Sequence, residues 1–463
     1  MPTPLLRGVV CPVESINSHL NKAITIVRWG GKYPSKLFHK GGEIMKKLGM
    51  IILTIMVCVS ISSRALGQEI KVGTLLAHTG ELEEMAKGVQ NGVILAANQL
   101  AAAGFEIGLI HEDSETSAIP GTKAAKKLVE TDKVVAIVGA MASGVSMKVA
   151  ESVTGPNSVL LISPSSTSPS LTALEADKGK DFLFRTCPSD SLQGVVLGNL
   201  AAGLYKTASV IFVKNPYGQG LAEQFKRSFE KRGGRVKAMV SHEKKAVPFY
   251  TTTLRTAFEQ SYVTRSFYIS ERPDVLCVFS YPGHAKNYVK EAIEVFNYRS
   301  FLFCDGSKSM EIIEAAGAEN LEGMMGTAPG SPVGEAYMTF TAGFKAEFGK
   351  EVPPFPFITN AYDTMAVIGL AAYAAKVKGL PLTAKNIRDY LRVVANPPGE
   401  FIQPGEFKKA FELLKQGKGI NYEGASGSVD FDENGDVLAP IEVWKYSKGK
   451  IVTYRMEYQV PKE

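Results

Sequence analysis

The sequence predicts an α/β protein of two lobes, each a parallel β-sheet flanked by helices. At 463 residues the chain is longer than one hydrophobic core usually serves. Several apolar runs of strand length are continuous rather than alternating, which is typical of strands covered on both faces. Segments of helical length follow these runs, as in βαβ units. The composition, 45% hydrophobic and 21% charged, is that of an ordinary globular protein.

The first series of strand and helix units begins after residue 68. Ile70–Leu76 is an apolar strand, and a helix over 83–103 follows it with Val89 and Val93 on one face. The next predicted elements are a strand over 105–111, a helix over 120–131 opened by a proline, and strands over 134–139 and 158–162.

The second series predicts another sheet, with strands over 209–213, 236–241, 274–280 and 301–304. Long helices are expected over 335–348, 359–377 and 383–394. Asn434-Gly435 predicts a β-hairpin between strands over 428–431 and 437–446. The order of elements assigns 68–186 plus 327–436 to the first lobe and 187–326 plus 437–463 to the second, joined by crossover strands.

The region before residue 68 predicts export. Lys46 and Lys47 precede the uncharged, mostly apolar stretch 48–61, and Ala65-Leu66-Gly67 places small residues before a cut at Gln68. This is the layout of a signal peptide over 45–67, and the apolar stretch is too short for a membrane span. Residues 1–44 are then a misassigned upstream extension with Met45 as the true start. A genuine extension and a lipid anchor on Cys58 are the alternatives.

The charge and the cysteines exclude some classes of protein. Nine of the 52 basic and two of the 46 acidic residues lie in 1–67, which leaves 43 basic and 44 acidic residues in the exported chain. That balance provides no electrostatic footprint for nucleic acid. The three remaining cysteines are Cys187, Cys277 and Cys304, an odd number that predicts no disulfide framework. We expect Cys277 and Cys304 to be buried thiols, with a bond between them as the alternative.

Polar residues follow the predicted strands, at the edge where open parallel sheets bind ligands. Backbone N–H groups at helix starts after Ser143 and Thr167 can hold a carboxylate, and Asp305 can pair with an ammonium group. Each residue alone could equally be an N-cap, a turn or a packing residue. The candidate ligand-binding residues are Ser143, Ser165, Ser166, Thr167, Tyr217, Tyr281 and Asp305.

Longer stretches resemble the branched-chain amino-acid (Leu/Ile/Val-type) substrate-binding proteins of ABC importers, which have the type I periplasmic-binding fold. The similar stretches include 134–172, 184–193 (FRTCPSDSLQ), 217–224 and 424–436 (GASGSVDFDENGD). The resemblance implies that Ser143, Ser165, Ser166 and Thr167 hold a ligand carboxylate and that Asp305 holds the amino group. Tyr217 would line the second lobe's side of the cleft, and Tyr281 is a looser match.

The resemblance also implies partners and a location: a small-molecule ligand such as an amino acid or analogue, an ABC permease in the inner membrane, no nucleic acid, a periplasmic location and a monomeric state. Asp305 stands where the leucine-type proteins usually have Glu, and 260–270 resembles an insertion. The ligand could therefore be an aliphatic or aromatic amino acid, an amide, a urea-like compound or an aromatic acid.

Motifs of other functional classes are incomplete in this sequence. Gly218-Gln219-Gly220 lacks the third glycine of a dinucleotide fingerprint, and the run 430–435 has Ile441 where a calcium loop requires Glu. No cofactor and no metal are predicted. A ligand-sensing domain that acts through a separate receptor or regulator is the alternative function. An enzyme is the less favoured reading, because no base stands near the strand-end hydroxyls.

Overall fold

The computed structural model describes residues 70–258 and 272–458. The predicted upstream extension, the signal peptide and the inserted segment at 260–270 lie outside the described residues. Within the described residues, no helix combines the length and the apolar character needed to cross a membrane.

The first sheet has five parallel strands in the order β2-β1-β3-β4-β5. The strand predicted over Ile70–Leu76 is confirmed with these bounds. The strands are β1 Ile70–Leu76, β2 Ile107–Asp113, β3 Ala136–Gly139, β4 Leu160–Ser163 and β5 Leu183–Arg185. The interior strands β3 and β4 are buried at every residue, as their continuous apolar sequence predicts.

Helices connect these strands: α1 Glu83–Ala102, α2 Ala118–Lys126, α3 Ser143–Val149 and α4 Gly155–Asn157, with π-helical turns at Lys127–Thr131 and Ala150–Thr154. After Thr167 the chain forms only a 3-10 turn, Pro169–Leu171, where a longer helix was expected.

The second sheet has seven strands in the order β15-β14-β10-β9-β8-β6-β7. Its bounds are β6 Thr207–Val213, β7 Arg235–His242, β8 Val275–Phe279, β9 Phe301–Phe303, β10 Met325–Pro329, β14 Ile441–Ser447 and β15 Lys450–Glu457. Strands β6 to β10 are parallel, whereas β14 and β15 are antiparallel. The predicted parallel arrangement is thus confirmed for β6 to β10, and the hairpin of the last two strands makes the second sheet mixed.

Helices flank the second sheet: α5 Asp190–Ala202, α6 Pro216–Lys231, α7 Thr251–Ala257, α8 Pro282–Glu294, α9 Met310–Ala316 and α10 Ala318–Leu321. The apolar spacing in α6 is confirmed, because Leu221, Phe225 and Phe229 are all fully buried. Strand β10 spans residues 326–327, the proposed boundary between a second-lobe part and a first-lobe part of the chain.

The hairpin predicted at Asn434-Gly435 was wrong. The Asp432 side chain accepts hydrogen bonds from the backbone N–H groups of Asn434 and Asp436, which makes a compact turn without flanking paired strands. The real hairpin joins β14 and β15 at Lys448 and Gly449, whose φ angles of 51° and 71° suit a two-residue turn. Both turns contain a glycine, and local sequence did not distinguish them.

The remaining segment packs on the first sheet as α11 Glu335–Phe348, α12 Ile358–Val377, α13 Ala384–Ala395 and α14 Phe407–Lys415, with a small sheet of β11 Glu400–Ile402, β12 Ile420–Gly424 and β13 Gly427–Ser428. Helix α12 is buried over nearly its whole length. Gly92 on α1 permits its close approach, because a Cβ there would lie 2.4 Å from the Ile358 carbonyl oxygen.

The three described cysteines are free and buried, so Cys277 and Cys304 form no disulfide.

Candidate functional site

A small cavity of about 20 Å³ lies between the carboxyl ends of the two sheets. Five of the predicted residues line it: Ser143 and Ser165 from the first-sheet side, and Tyr217, Tyr281 and Asp305 from the second-sheet side. The structure therefore brings together residues that are as far as 162 positions apart in the chain. The other lining residues are Leu82, Met85, Met141, Gly306 and Phe357.

The second-sheet side, which we call the aromatic wall (Tyr217, Tyr281 and Asp305), is built around one carboxylate. Asp305 lies just after β9 and is 2% exposed. Its Oδ1 atom accepts hydrogen bonds of 2.8 Å from the Tyr217 hydroxyl and the Gln193 amide. Burial raises the pKa of Asp305, and these hydrogen bonds oppose the rise. The carboxylate is thus held in place at the cavity wall but is incompletely compensated.

The two tyrosines of the aromatic wall are stacked, with ring centroids 5.4 Å apart and an interplanar angle of 6°. Asn215 fixes Tyr281 by donating to its hydroxyl at 3.0 Å. The Tyr217 hydroxyl accepts from the Gly306 N–H, where a Cβ would lie 2.6 Å from the Tyr217 oxygen. Glycine at 306 is therefore required for this close approach.

Asp190 is a second buried carboxylate near the site, although it does not line the cavity, and sequence reasoning missed it. It lies in the first turn of α5, its Oδ2 atom accepts from the Thr167 hydroxyl at 2.8 Å, and its Oδ1 atom has no hydrogen-bond partner. Burial and the neighbouring charge of Asp305 raise its pKa well above the ordinary value. An acidic residue in the first turn of a helix is normally explained by its favourable interaction with the helix dipole. The position of Asp190 in the FRTCPSDSLQ stretch therefore gave no indication of a role in binding.

The hydroxyl loop (residues 163–168) forms the first-sheet side, and most of its side chains point into the protein rather than into the cavity. Ser166 is fully buried and its hydroxyl contacts the Ser146 hydroxyl at 2.8 Å and the Ala140 carbonyl at 3.0 Å. The Ser163 hydroxyl donates to the same carbonyl at 2.7 Å. Ser166 and Thr167, which were predicted to bind the ligand, do not line the cavity. Their hydroxyls serve the loop and Asp190.

Arg185 braces the hydroxyl loop from behind. Its guanidinium donates to the carbonyls of Ser166 and Ser168 and forms a 2.7 Å bidentate pair with Asp436. Arg185 is 1% exposed. Asp436 is therefore committed to an ion pair rather than to calcium, and the described residues contain no cluster of three or more acidic, His or Cys side chains placed to hold a metal.

Contacts join the two sides around the cavity. The Ser168 hydroxyl donates to the Pro216 carbonyl at 2.9 Å. Glu84, at the start of α1, accepts from the Ser309 hydroxyl and from the Met310 N–H at 3.0 Å, at the start of α9. Glu81 accepts from the Ala246 N–H at 3.0 Å. Two carboxylates of the first-sheet side thus satisfy backbone groups of the second-sheet side.

Comparison with known proteins agrees with this architecture. A relative in Halobacterium salinarum, the chemotactic signal transduction system substrate-binding protein BasB, is 27% identical over 374 residues, covering 79% of this chain and 84% of the relative. The leucine-, isoleucine-, valine-, threonine- and alanine-binding protein of Pseudomonas aeruginosa is 25% identical, covering 80% and 87%.

Solved structures show the same fold at lower identity. The branched-chain amino-acid substrate-binding protein LivJ of Streptococcus pneumoniae, in complex with isoleucine, superposes with a TM-score of 0.66 at 22% identity, covering 85% of this chain and all of LivJ. A solute-binding protein from R. palustris in complex with benzoate gives 0.66 at 17% identity, covering 84% and 96%. Both are ligand-binding proteins of the type I periplasmic-binding fold.

The periplasmic binding protein family profile matches residues 69–436, which is most of the chain and includes every residue of the cavity wall. The chain therefore belongs to the periplasmic binding protein family.

Proposed function

We propose that this protein is the extracytoplasmic solute-binding component of an ABC importer and that it binds an amino acid with an uncharged side chain. The observation that carries the proposal is the buried carboxylate of Asp305 at a cavity whose lining in the described chain includes no Lys, Arg or His. A second buried carboxylate, Asp190, lies near Asp305 outside the lining, and Arg185 compensates its charge only in part. A ligand ammonium group would supply the positive charge that the cavity lining lacks.

The ammonium pole is argued from unsatisfied acceptors. Burial raises the pKa of both carboxyls, and the neighbouring charge of Asp305 adds to the rise at Asp190 because like charges repel each other. The Asp190 Oδ1 and Gln193 Oε1 atoms are buried without partners. A cation with several N–H donors placed beside Asp305 would relieve the repulsion and gain charge-assisted hydrogen bonds.

The opposite pole suits a carboxylate. Ser143 begins α3 and lines the cavity together with Ser165. The first backbone N–H groups of a helix have no partner within the helix and carry partial positive charge. Helical structure continues from Ser143 to Asn157, so this end is supported by a full helical run. Hydroxyls and backbone N–H groups can hold a carboxylate there without an arginine.

The rest of the cavity favours an apolar side chain. Leu82, Met85, Met141 and Phe357 are all buried and line the space. A charged side chain would be desolvated there without compensation. The relatives named above include a protein that binds leucine, isoleucine, valine, threonine and alanine, which supports the same class of ligand.

Capture is proposed to occur by hinge closure between two lobes, 68–186 plus 327–436 and 187–326 plus 437–463. The first-lobe residues would bind the solute, and closure would bring the aromatic wall over it. The contacts of Glu81, Glu84 and Ser168 across the cavity are those that closure would form. The closed monomer would then dock on the permease in the inner membrane, and no catalytic step is required.

A second candidate function is sensing. The relative in Halobacterium salinarum is a substrate-binding protein of a chemotactic signal transduction system. The same binding site would then report to a receptor. Site-specific crosslinking in cells distinguishes the two functions: a ligand-dependent adduct with a permease supports import, whereas an adduct with a chemoreceptor supports sensing.

A thermal-shift screen of the purified protein tests the proposed ligand class. Ligands that bind only the native state raise the melting temperature by mass action, by about 2.7 kcal/mol at 100 times Kd. We expect a rise of several degrees with aliphatic amino acids and none with aromatic acids. A shift with benzoate-like acids and none with amino acids would contradict the role of the two carboxylates.

A further inference from the structure

Phe357 separates the ligand cavity from a larger neighbouring space. It lines the cavity of about 20 Å³ on one side and, on the other, an adjoining chamber of about 310 Å³ that opens to solvent at Val333 and Pro354. The ring is buried, with 5% of the residue exposed, so it fills the boundary between the two spaces instead of projecting into solvent. Removing it would connect them.

The backbone holds this ring in a fixed position. Phe357 has φ 74° and ψ −3°, a left-handed conformation that is uncommon for a bulky residue. It precedes the buried helix α12, and its carbonyl accepts the Ala361 N–H at 2.9 Å. Pro356 restricts the chain on the other side. A residue kept in an unfavourable conformation between two rigid elements indicates a local constraint worth a functional explanation.

The chamber beyond Phe357 can accept an uncharged chain. Its polar end carries Lys308 and Glu442, a buried ion pair at 2.5 Å whose charges compensate each other. Thr453 also donates to Glu442 at 2.6 Å. Apolar residues including Phe355, Ile451 and Met456 supply much of the remaining wall. An alkyl chain entering from the ligand cavity would therefore meet apolar surface and a satisfied ion pair.

We propose that Phe357 determines the maximum length of the ligand side chain by closing the cavity against this chamber. The proposal rests on the proposed function, because it takes the amino-acid backbone to be anchored between Ser143 and Asp305. Ligands whose side chains fit in front of the ring bind, and longer ones are rejected because the ring occupies their path. Specificity for length thus comes from one side chain rather than from the overall volume of the cleft.

The test is a calorimetric affinity series with straight-chain L-2-amino acids from aminobutyrate to 2-aminooctanoate. Phe357→Gly removes the ring and suits the positive φ, so the backbone conformation is retained. Phe355→Ala is the matched control, because Phe355 lines the chamber but not the ligand cavity. Phe357→Asn is a second variant that also tolerates the left-handed conformation.

In the wild type we expect affinity to rise with each methylene by about fourfold and then to fall at least tenfold beyond one length. Phe357→Gly and Phe357→Asn should move this limit to chains at least two methylenes longer, and Phe355→Ala should leave it unchanged. An unchanged limit in the folded Phe357 variants, or the same displacement in Phe355→Ala, overturns the role of Phe357. Wild-type protein that binds none of the series overturns the proposed function itself, which is a separate result.

Discussion

The two sides of the cavity use their polar side chains in different ways. On the first-sheet side, Ser163, Ser166 and Thr167 hydrogen-bond within the protein, while Ser143 and Ser165 line the cavity. On the aromatic wall, Tyr217, Tyr281 and Asp305 all line it. The first side is therefore a rigid support that presents backbone groups, and the second side supplies the charge that selects the ligand.

This difference separates stability from affinity. A buried, fully bonded hydroxyl costs stability when it is removed, because its partners are left unsatisfied. A buried carboxylate with an incompletely satisfied charge costs stability while it is present and is retained for binding. Substitutions on the two sides should therefore change different observables.

The largest effect is expected behind the hydroxyl loop, at Arg185. Arg185→Met breaks a buried ion pair and removes the guanidinium donors of Asp436 and of two loop carbonyls, so the free energy of unfolding should fall by about 3–5 kcal/mol. Urea denaturation measures it. Lys178→Met, at an exposed pair with Glu175, is the control and should change stability by no more than about 0.5 kcal/mol. Equal changes in the free energy of unfolding in the two variants would contradict the proposal that Arg185 stabilises the hydroxyl loop.

Asp305→Asn should weaken amino-acid binding on the order of 100-fold, because a buried ammonium group would lose its charged partner. Ligand-free stability should stay unchanged or increase at neutral pH, since burial raises the pKa of this carboxyl and so disfavours its charged form. Calorimetry and denaturation measure the two quantities. Tyr217→Phe, which removes one donor to the same oxygen, is expected to cost only about fivefold in affinity.

The pH dependence gives a further readout of the carboxylate pair. The pKa values of Asp190 and Asp305 are raised, so protonation of the ligand-free site begins above the ordinary value of 3.8 as the pH falls. Protonated carboxyls no longer neutralise an ammonium group, and wild-type affinity should therefore decrease on acidification through this range. Asp305→Asn should show a weaker dependence. Wild-type affinity that is constant or rises on acidification would contradict the pairing.

A smaller effect distinguishes two neighbouring residues of the hydroxyl loop. Thr167→Val keeps the side-chain shape but removes the hydrogen bond to Asp190, so affinity should fall about fivefold. Ser166→Ala should lower stability by about 1–2 kcal/mol and leave affinity within about twofold, because its hydroxyl contacts Ser146 and Ala140, which do not line the cavity. The reverse pattern would show that Ser166 reaches the ligand.

The smallest expected effect is at Glu84, which joins the two sides away from the ligand. Glu84→Gln weakens the hydrogen bonds to Ser309 and Met310 and should reduce affinity about two- to threefold if closure accompanies binding. Glu83→Gln, at an exposed position of the same helix, is the control. Identical affinities in the two variants would show that the Glu84 contact does not contribute to closure on the ligand.

The sequence was sufficient for those features that depend on local pattern. Continuous apolar runs identified interior strands such as β3, β4 and β8 but not β5, β10 or β15. The position after each predicted strand identified Ser143, Tyr217 and Asp305 as neighbours in space. Their contact follows from topology, because the carboxyl ends of parallel strands meet at one edge. Their role in binding remains a prediction.

The features that sequence reasoning missed depend on long-range geometry. Whether Ser166 points into the cavity or toward Ala140 is decided by the path of the loop after β4. Asp190 is important because it is buried near Asp305, 115 positions away, and nothing local marks it. The antiparallel hairpin of β14 and β15 likewise depended on which of two glycine turns would pair.

The most direct test is a calorimetric comparison of L-leucine with 4-methylpentanoate, which is the same molecule without its amine. We expect leucine to bind and the acid to bind at least about 100-fold more weakly, because the Asp190 and Asp305 carboxylates require a cation. Equal or tighter binding of the acid would contradict the selection of a zwitterion by the aromatic wall.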